Sequence, residues 1–349
     1  MGKQYKNVSS YTPSYSYTYP GILKTELFQK PKIETPALSE FAQIYPGIRS
    51  GEYLNLVTPL TRVLQKGTGV CTPTFSGSGS ITDRRIVTGL FEIAQQWCKK
   101  EFQATANILG DSDLVGDGLS GYELGGKLRS VWMDEILEQA RQDLWKVLLF
   151  GNDSLGTGST NLFSTIDGVW TKFFDGFGSY CIKPILNSLP NTATSVLNAD
   201  DALNTLRQVY ERSPILLKQI PASQKVFWVT GSIWDNLYAS YESKQYGTEL
   251  QFKYLVDGVA QLSYRGTPVR PLWIADYTLE NDTDNPYYNL LRHFIIYTIP
   301  QNHIIGVENT SDLNNVEMWY DRQDRVTKAE GEMRMGYNFL HCDLTSIAF

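Results

Sequence analysis

The sequence is short of charge. Asp, Glu, Lys and Arg make up 19% of it, below the roughly 25% of an ordinary globular chain. Basic residues number 31 against 37 acidic ones, for a net charge of -6. A protein that grips nucleic acid directly needs clustered Lys and Arg to displace counterions. The densest basic pair, Arg84-Arg85, has Asp83 beside it, which excludes a condensing basic tail. The four cysteines, Cys71, Cys98, Cys181 and Cys342, are scattered without a CxxC pair, so no disulfide framework is expected. No run approaches the ~18 apolar residues of a membrane span. The start, Met1-Gly2-Lys3-Gln4-Tyr5-Lys6, lacks the apolar stretch of a signal peptide. A soluble protein of a reducing compartment is the expectation.

Catalytic signatures are missing too. The three histidines, His293, His303 and His341, lie in no HExxH motif and have no cysteine at zinc-ligand spacing; each reads as a structural or surface histidine. There is no GxSxG elbow, Walker A loop or Cys-His signature. Gly77-Ser78-Gly79 lacks the third glycine of a dinucleotide loop and reads as a hairpin tip. The run from Asp111 to Asp117 resembles a calcium loop, but Val115 and Tyr122 stand where oxygen ligands are required. The acidic stretch Asn281 to Pro286 reads as a solvated loop in preference to a weak cation site. No catalytic residue, cofactor or metal is expected, and an enzyme is disfavoured.

Aromatics are abundant: 21 Tyr and 8 Trp among 349 residues. Rings with a polar handle suit surfaces that become covered by partners. Residues 1 to about 45 do not read as a folded unit. Tyr11, Tyr15, Tyr17 and Tyr19 alternate with Ser, Thr and Pro, as in an extended strand, and Pro13, Pro20, Pro31 and Pro36 forbid long helices. Such an arm cannot bury its own rings. It needs its own body or a neighbour to lie on, unless it is a disordered tail.

From Glu52 to about Trp97 the pattern predicts a long hairpin with flexible stretches at Lys66-Gly67-Thr68-Gly69 and Ser76-Gly77-Ser78-Gly79. Ile86 to Trp97 fits either a strand or a helix. A two-stranded ribbon of this length is marginal alone in water and gains stability when laid on another chain. The clearest helix is predicted from about Tyr122 to Phe150. Leu124, Leu128, Val131, Leu137, Ala140, Leu144, Val147 and Leu148 form its stripe, Ser120 is its cap and Gly151 its stop. A second helix is expected over 199–212, capped by Asn198, and a third opening at Ser232. Strands are expected at 225–230, 262–264, 269–274, 294–299, 316–320 and 332–339. In the last, Met333, Met335, Tyr337 and Phe339 share a face. The fold class is α+β.

This order of parts resembles the Hong Kong 97 capsid fold over about residues 40 to 349. The long helix ending in Leu149-Phe150-Gly151-Asn152 is similar to that family's spine helix. Val226 to Asp235 resembles its strand-then-helix entry into the A-domain, and Tyr264 to Pro271 its Gly-x-Pro-Val segment. The Tyr- and Asn-rich composition is similar to capsid proteins of phages of Bacteroidota, including crAss-like phages. The resemblance implies an extended N-terminal arm (1–48), an E-loop hairpin (49–100), the spine helix with part of the P-domain (101–198), a region mostly A-domain (199–300) and return strands of both domains (301–349).

The function implied is that of a major capsid protein, a non-enzymatic subunit that self-assembles as hexamers and pentamers into an icosahedral shell. The shell would enclose double-stranded DNA without sequence-specific binding, in a virion assembled in the bacterial cytoplasm. Portal, scaffolding and decoration proteins are the implied partners, with no membrane. The contact residues implied are Tyr11, Tyr15, Tyr17 and Tyr19 of the arm, Lys66, Gly67, Gly69, Gly77 and Gly79 of the hairpin, and Arg84 and Arg85. With about 40 residues ahead of the hairpin and no helical periodicity in them, no fused scaffold and no removal of the arm is expected. Some members cross-link a hairpin lysine to a neighbour's asparagine; Lys66 sits near a loop, where an exposed lysine is ordinary. Two other readings are an encapsulin-type compartment shell and a soluble carbohydrate-binding module that uses the surface aromatics.

Overall fold

The computed structural model describes residues 33, 35–49, 51–57, 81–98, 126–155, 161–174, 189–191, 195–243, 250–254, 260–287, 291–309, 316–321, 323–324 and 326–349. In chain order, a short helix Leu38–Phe41 leads into β1 (Gln43–Pro46), β2 (Glu52–Val57), β3 (Ile81–Ile86) and β4 (Thr88–Cys98). The long helix Gly126–Phe150, a short helix Val169–Phe174, the helix Asp201–Arg212 and a short helix Ile215–Gln219 follow. Then come β5 (Val226–Val229), the helix Gly231–Ser243, β6 (Leu250–Tyr254), β7 (Ala260–Tyr264), β8 (Thr267–Pro271) and the helix Trp273–Asn281. The chain closes with β9 (Ile295–Thr298), β10 (His303–Val307), β11 (Glu317–Asp321), β12 (Val326–Phe339) and β13 (Thr345–Ala348).

The chain divides into two compact units. The larger comprises Pro31–Gln95, Trp132–Met318 and Ala329–Phe349; the smaller comprises Met1–Lys30, Gln96–Val131 and Trp319–Lys328. Of the smaller unit, the hairpin turn is described in most detail: Asp321 and Asp324 both hold Lys328 Nζ, at 2.7 and 2.8 Å.

In the larger unit a six-stranded sheet runs β13-β9-β5-β8-β7-β6. β5 lies parallel to β8 and antiparallel to β9. Both faces of β5 are covered, which explains its unbroken apolar run. Val226 and Trp228 join the cluster of the long helix, with Trp145, Leu148, Trp170 and Ile296. Phe227 and Val229 join the opposite cluster, with Leu206, Val209, Ile233 and Leu237 of the helices Asp201–Arg212 and Gly231–Ser243. Phe227 stacks on Tyr297 at 4.1 Å. A second sheet pairs β1 in parallel with β10, β10 antiparallel with β12, and β12 also with β4. Among the described residues β2 and β3 pair only with each other.

The long helix ends as expected at Gly151, and close approach dictates the residue. A Cβ there would lie 2.3 Å from the Ile166 carbonyl oxygen, so the following segment can cross the helix end only over a glycine. The last turn of the helix is buried all round, from Val147 to Phe150. Ile136 is also buried, one position off the stripe read from the sequence.

Several expectations are corrected. Residues 35–46 are folded, against the reading of an unfolded arm to about 45. Phe41 is fully buried, within 5.6 Å of the rings of Trp145, Trp228 and His303, and β1 pairs with β10. The prolines that forbid a long helix allow this four-residue one. The strand expected over 269–274 ends at Pro271, and Trp273 opens a helix. Ile274, Ala275, Thr278 and Leu279 are its buried positions, a helical spacing that a six-residue strand window cuts off. Asn198 is not the cap by its own side chain. Asp200, in the left-handed region at φ 65°, precedes the helix, and the Asn198 N–H donates to Asp201 Oδ2 at 2.8 Å. Cys342 is disulfide-bonded, where none was expected; sequence spacing carries no information on which cysteines meet in space.

Candidate assembly surfaces

The hairpin forms, but only part of it stands apart. β2 and β3 make a two-stranded ribbon from the Glu52–Ile86 pair to the Val57–Ile81 pair. At Val87 the descending chain leaves the ribbon and enters the body sheet as β4, which settles the strand-or-helix choice for Ile86 to Trp97. Residues 88–98 thus belong to the body sheet, and the free ribbon ends at Ile86. The crossing is tight: a Cβ on Gly336 would lie 2.3 Å from the Val87 carbonyl oxygen. Asn338 Nδ2 donates to the Arg85 carbonyl at 2.7 Å. Ile48, Ile86 and Ile304 pack as a small core under the ribbon root.

Opposed residues of an antiparallel pair share a face, so the register defines two. One face carries Leu54, Leu56, Arg84 and Ile86 and leans on the body. Arg84 is engaged there: Nε donates to the Leu340 carbonyl at 3.3 Å, Nη2 to Cys342 Sγ at 3.7 Å, and the guanidinium lies over the Phe339 ring at 5.8 Å. Burial pulls its pKa below the usual arginine value. The other face carries Tyr53, Asn55 and Val57 opposite Arg85, Asp83 and Ile81, all exposed. Arg85 lies over the Tyr53 ring at 5.9 Å. Val57 and Ile81, directly opposed, are 73% and 68% exposed. Opposed across the ribbon, the two β-branched side chains form a small apolar patch on its outward face.

A second uncovered feature is a groove of about 430 Å³ between residues 35–39 and the long helix, lined also by Ile44, Glu138, Arg141, Leu144 and Trp145. One flank is fixed by hydrogen bonds from the helix to the extended backbone. Gln142 Nε2 donates to the Ile33 carbonyl at 3.2 Å and Trp145 Nε1 to the Pro36 carbonyl at 2.8 Å. Arg141 pairs with Glu138 at 3.3 Å while remaining 56% exposed. Leu38, Ile44, Leu144 and Trp145 give the groove its apolar part.

The buried polar groups hold the body together. His303 is enclosed between β9 and β12, with Nε2 2.9 Å from Thr298 Oγ1 and Nδ1 2.6 Å from Tyr337 Oη. Burial pushes its pKa down to about 3, so it is neutral at physiological pH. Asp276 accepts from the Gly231 and Ser232 N–H groups at the start of the helix Gly231–Ser243, at 2.5 and 3.3 Å. Burial raises its pKa to about 6 against those bonds and the nearby Arg292. Ser232 Oγ sits 2.7 Å from His293 Nδ1, and the other ring nitrogen faces the Ser195 carbonyl at 3.3 Å. With Nε2–H donating to that carbonyl, Nδ1 accepts from the serine, so both ring nitrogens are engaged and the pair ties the start of the helix Gly231–Ser243 to the segment at Ser195. Among the described residues no group of His, Cys, Asp and Glu could hold a metal. No helix there is long and apolar enough to cross a membrane.

Of the residues singled out from the sequence, Tyr11, Tyr15, Tyr17, Tyr19, Lys66, Gly67, Gly69, Gly77 and Gly79 lie outside the described residues, as does the run Asp111 to Asp117. Arg84 and Arg85 are neighbours on β3 facing opposite ways. The groove was missed. The one signal for it in the sequence is Trp145, a large ring on the helix close to the charged Glu138 and Arg141.

No protein-family profile matches the chain, and no curated protein matches it in sequence. Solved structures do match, over nearly their whole length. The capsid of Myoviridae phage XM1 is 8% identical, with 93% of this chain and 95% of that one covered at a TM-score of 0.54. Mycobacterium phage Che8 is 11% identical, with 96% and 98% covered at 0.53. The capsid of an empty GTA particle is 10% identical, with 93% of each chain covered at 0.52. This is the Hong Kong 97-like capsid fold.

Proposed function

We propose that the chain is a major capsid protein, the subunit that self-assembles through hexamers and pentamers into the icosahedral head of a tailed double-stranded DNA phage. One observation carries this reading: a capsid fold spanning more than nine-tenths of the chain displays a ribbon whose outward face is uncovered in the single chain. A finished monomer gains nothing from such a face, whereas a shell subunit uses it to bind the next copy.

The charge balance supports a wall rather than a nucleic-acid clamp. At -6 overall, the chain lacks the basic density that collects a genome by counterion release, so the DNA is enclosed without sequence-specific contacts. The reading assigns residues 1–34 to the arm, the ribbon and its tip to the E-loop, the helix Gly126–Phe150 to the spine, and the six-stranded sheet with its helices to the A-domain. It makes the chain a virion component assembled in the bacterial cytoplasm, with portal, scaffolding and decoration proteins as further partners and no catalytic role. Electron microscopy of the purified protein tests it directly. Closed hollow particles are expected, and a compact monomer that persists at every concentration overturns it.

A further inference from the structure

We infer that the chain holds one small anion, a halide such as chloride, in a buried site between the starts of β5 and β8 and the side chain of Tyr297. The inference is independent of the shell reading. β5 and β8 run parallel with Phe227 opposite Val269. Lys225 and Thr267, each two positions earlier, are therefore neighbours on the same face. The turn ahead of β8 shows the same approach, since a Cβ on Gly266 would lie 3.6 Å from the Ala222 side chain. Tyr297 comes from β9 on the other side of β5, where it stacks on Phe227. Lys225 Nζ lies 5.7 Å from the centre of the Tyr297 ring.

All three side chains are buried: Lys225 is 4% exposed, Thr267 1% and Tyr297 0%. Lys225 is the anomaly. A buried ammonium ordinarily has a carboxylate beside it, and among the described residues none pairs with this one. Its hydrogen bond within the chain is long, 3.4 Å to the Leu217 carbonyl, and burial pulls its pKa below the usual lysine value. Tyr297 Oη and Thr267 Oγ1 are enclosed without a hydrogen-bond partner in the chain. Thr267 is nonetheless close enough to Tyr297 to favour its phenolate. Neighbouring hydroxyls that do not bond each other are both free to donate to a third group. The place is thus rich in donors and poor in acceptors, because an ammonium only donates and each hydroxyl has a proton to give. A water molecule would bring further protons to it. An anion accepts from every group and offsets the cost of burying an unpaired cation. The packed rings of Phe227, Tyr264 and Tyr297 favour a single atom over a phosphate.

Salt exchange on the full-length protein tests the site. Thermal midpoints are read in sodium chloride, bromide and gluconate at equal ionic strength, so that general screening is the same in each. Chloride and bromide are expected to raise the midpoint over gluconate by about 2 °C or more, increasingly with concentration. Lys225→Met keeps the buried stem without the charge and should melt alike in all three salts. Thr267→Val leaves the ammonium in place and should weaken the halide response, which keeps the test decisive if the first variant folds poorly. Anomalous diffraction from crystals grown in bromide should place a peak beside Lys225 Nζ. A wild-type midpoint equal in chloride and gluconate means that water alone sits there, and a halide response undiminished in both variants places the ion elsewhere. Either result overturns the site and leaves the shell reading intact, because that reading is tested by particles and this one by melting.

Discussion

At the scale of single residues, the buried titratable groups tie stability to pH in opposite directions. His303 is neutral when folded, with a pKa near 3, against 6.5 for an ordinary imidazole. As pH falls below 6.5 the unfolded chain takes up a proton that the folded chain refuses, so this stabilisation is present above 6.5 and is lost progressively towards 3. Asp276 runs the other way. Its folded pKa of about 6 exceeds the ordinary 3.8, so its contribution is present below 3.8 and is lost as pH rises through 6. His303→Gln is expected to lower stability at pH 7 by about 1–3 kcal/mol, through impaired bonding to Thr298 and Tyr337, and to flatten the acid limb. Asp276→Asn keeps an acceptor for the Gly231 N–H and removes the carboxylate's titration, so its advantage over wild type should grow from pH 4 to pH 8. Urea midpoints measured across that range check both. Parallel curves for wild type and each variant would refute the assignments.

At the scale of elements, the segment before the ribbon is the least expected and the easiest to test. Phe41 fills a fully buried site among Trp145, Trp228 and His303, so Phe41→Ala should cost about 3–5 kcal/mol. Trp145→Phe removes the donor to the Pro36 carbonyl and should cost about 1 kcal/mol from that bond. Denaturant titration of both, with no change in slope, is the check. Removing residues 1–47 would take away Phe41 and β1 together and should abolish folding of the body. The sequence made the elements with long or unbroken patterns legible: the long helix, β5 with both faces covered, and the alternating face of β12 from Met333 to Phe339. It hid those set by tertiary partners. Residues 38–46 carry too few apolar positions to show a period, and their place is fixed by Trp145 and β10. The bend at Val87 exists because β4 finds β12 and Gly336 lets the backbone pass. The Arg84 and Arg85 pair was visible, but only the register shows that one is turned inward and the other outward. The groove, made by segments about a hundred residues apart, has no local pattern at all.

At the scale of the whole molecule, the decisive question is whether the uncovered face of the ribbon serves the fold or the assembly. A structural residue and an interface residue respond differently to the same substitution. Val57 and Ile81 contact solvent over most of their surface, so replacing them with polar residues removes little buried apolar area from the monomer, and surface changes of this kind usually stay within about 0.5 kcal/mol. At an interface the same two side chains would be buried at its centre, where truncating an anchor typically costs about 2 kcal/mol or more. A double variant, Val57→Thr with Ile81→Thr, keeps the β-branched shape and the strand preference of the ribbon. It is therefore expected to melt with the wild type yet to remain as monomers or small oligomers where wild-type protein forms shells. Analytical ultracentrifugation beside a thermal melt reads both quantities on one sample. If the variant assembles as well as wild type, the ribbon face is not an interface; if it unfolds early, that face serves the fold. Because each copy in a closed shell repeats the contact, a modest loss per contact should appear as a sharp loss of particles.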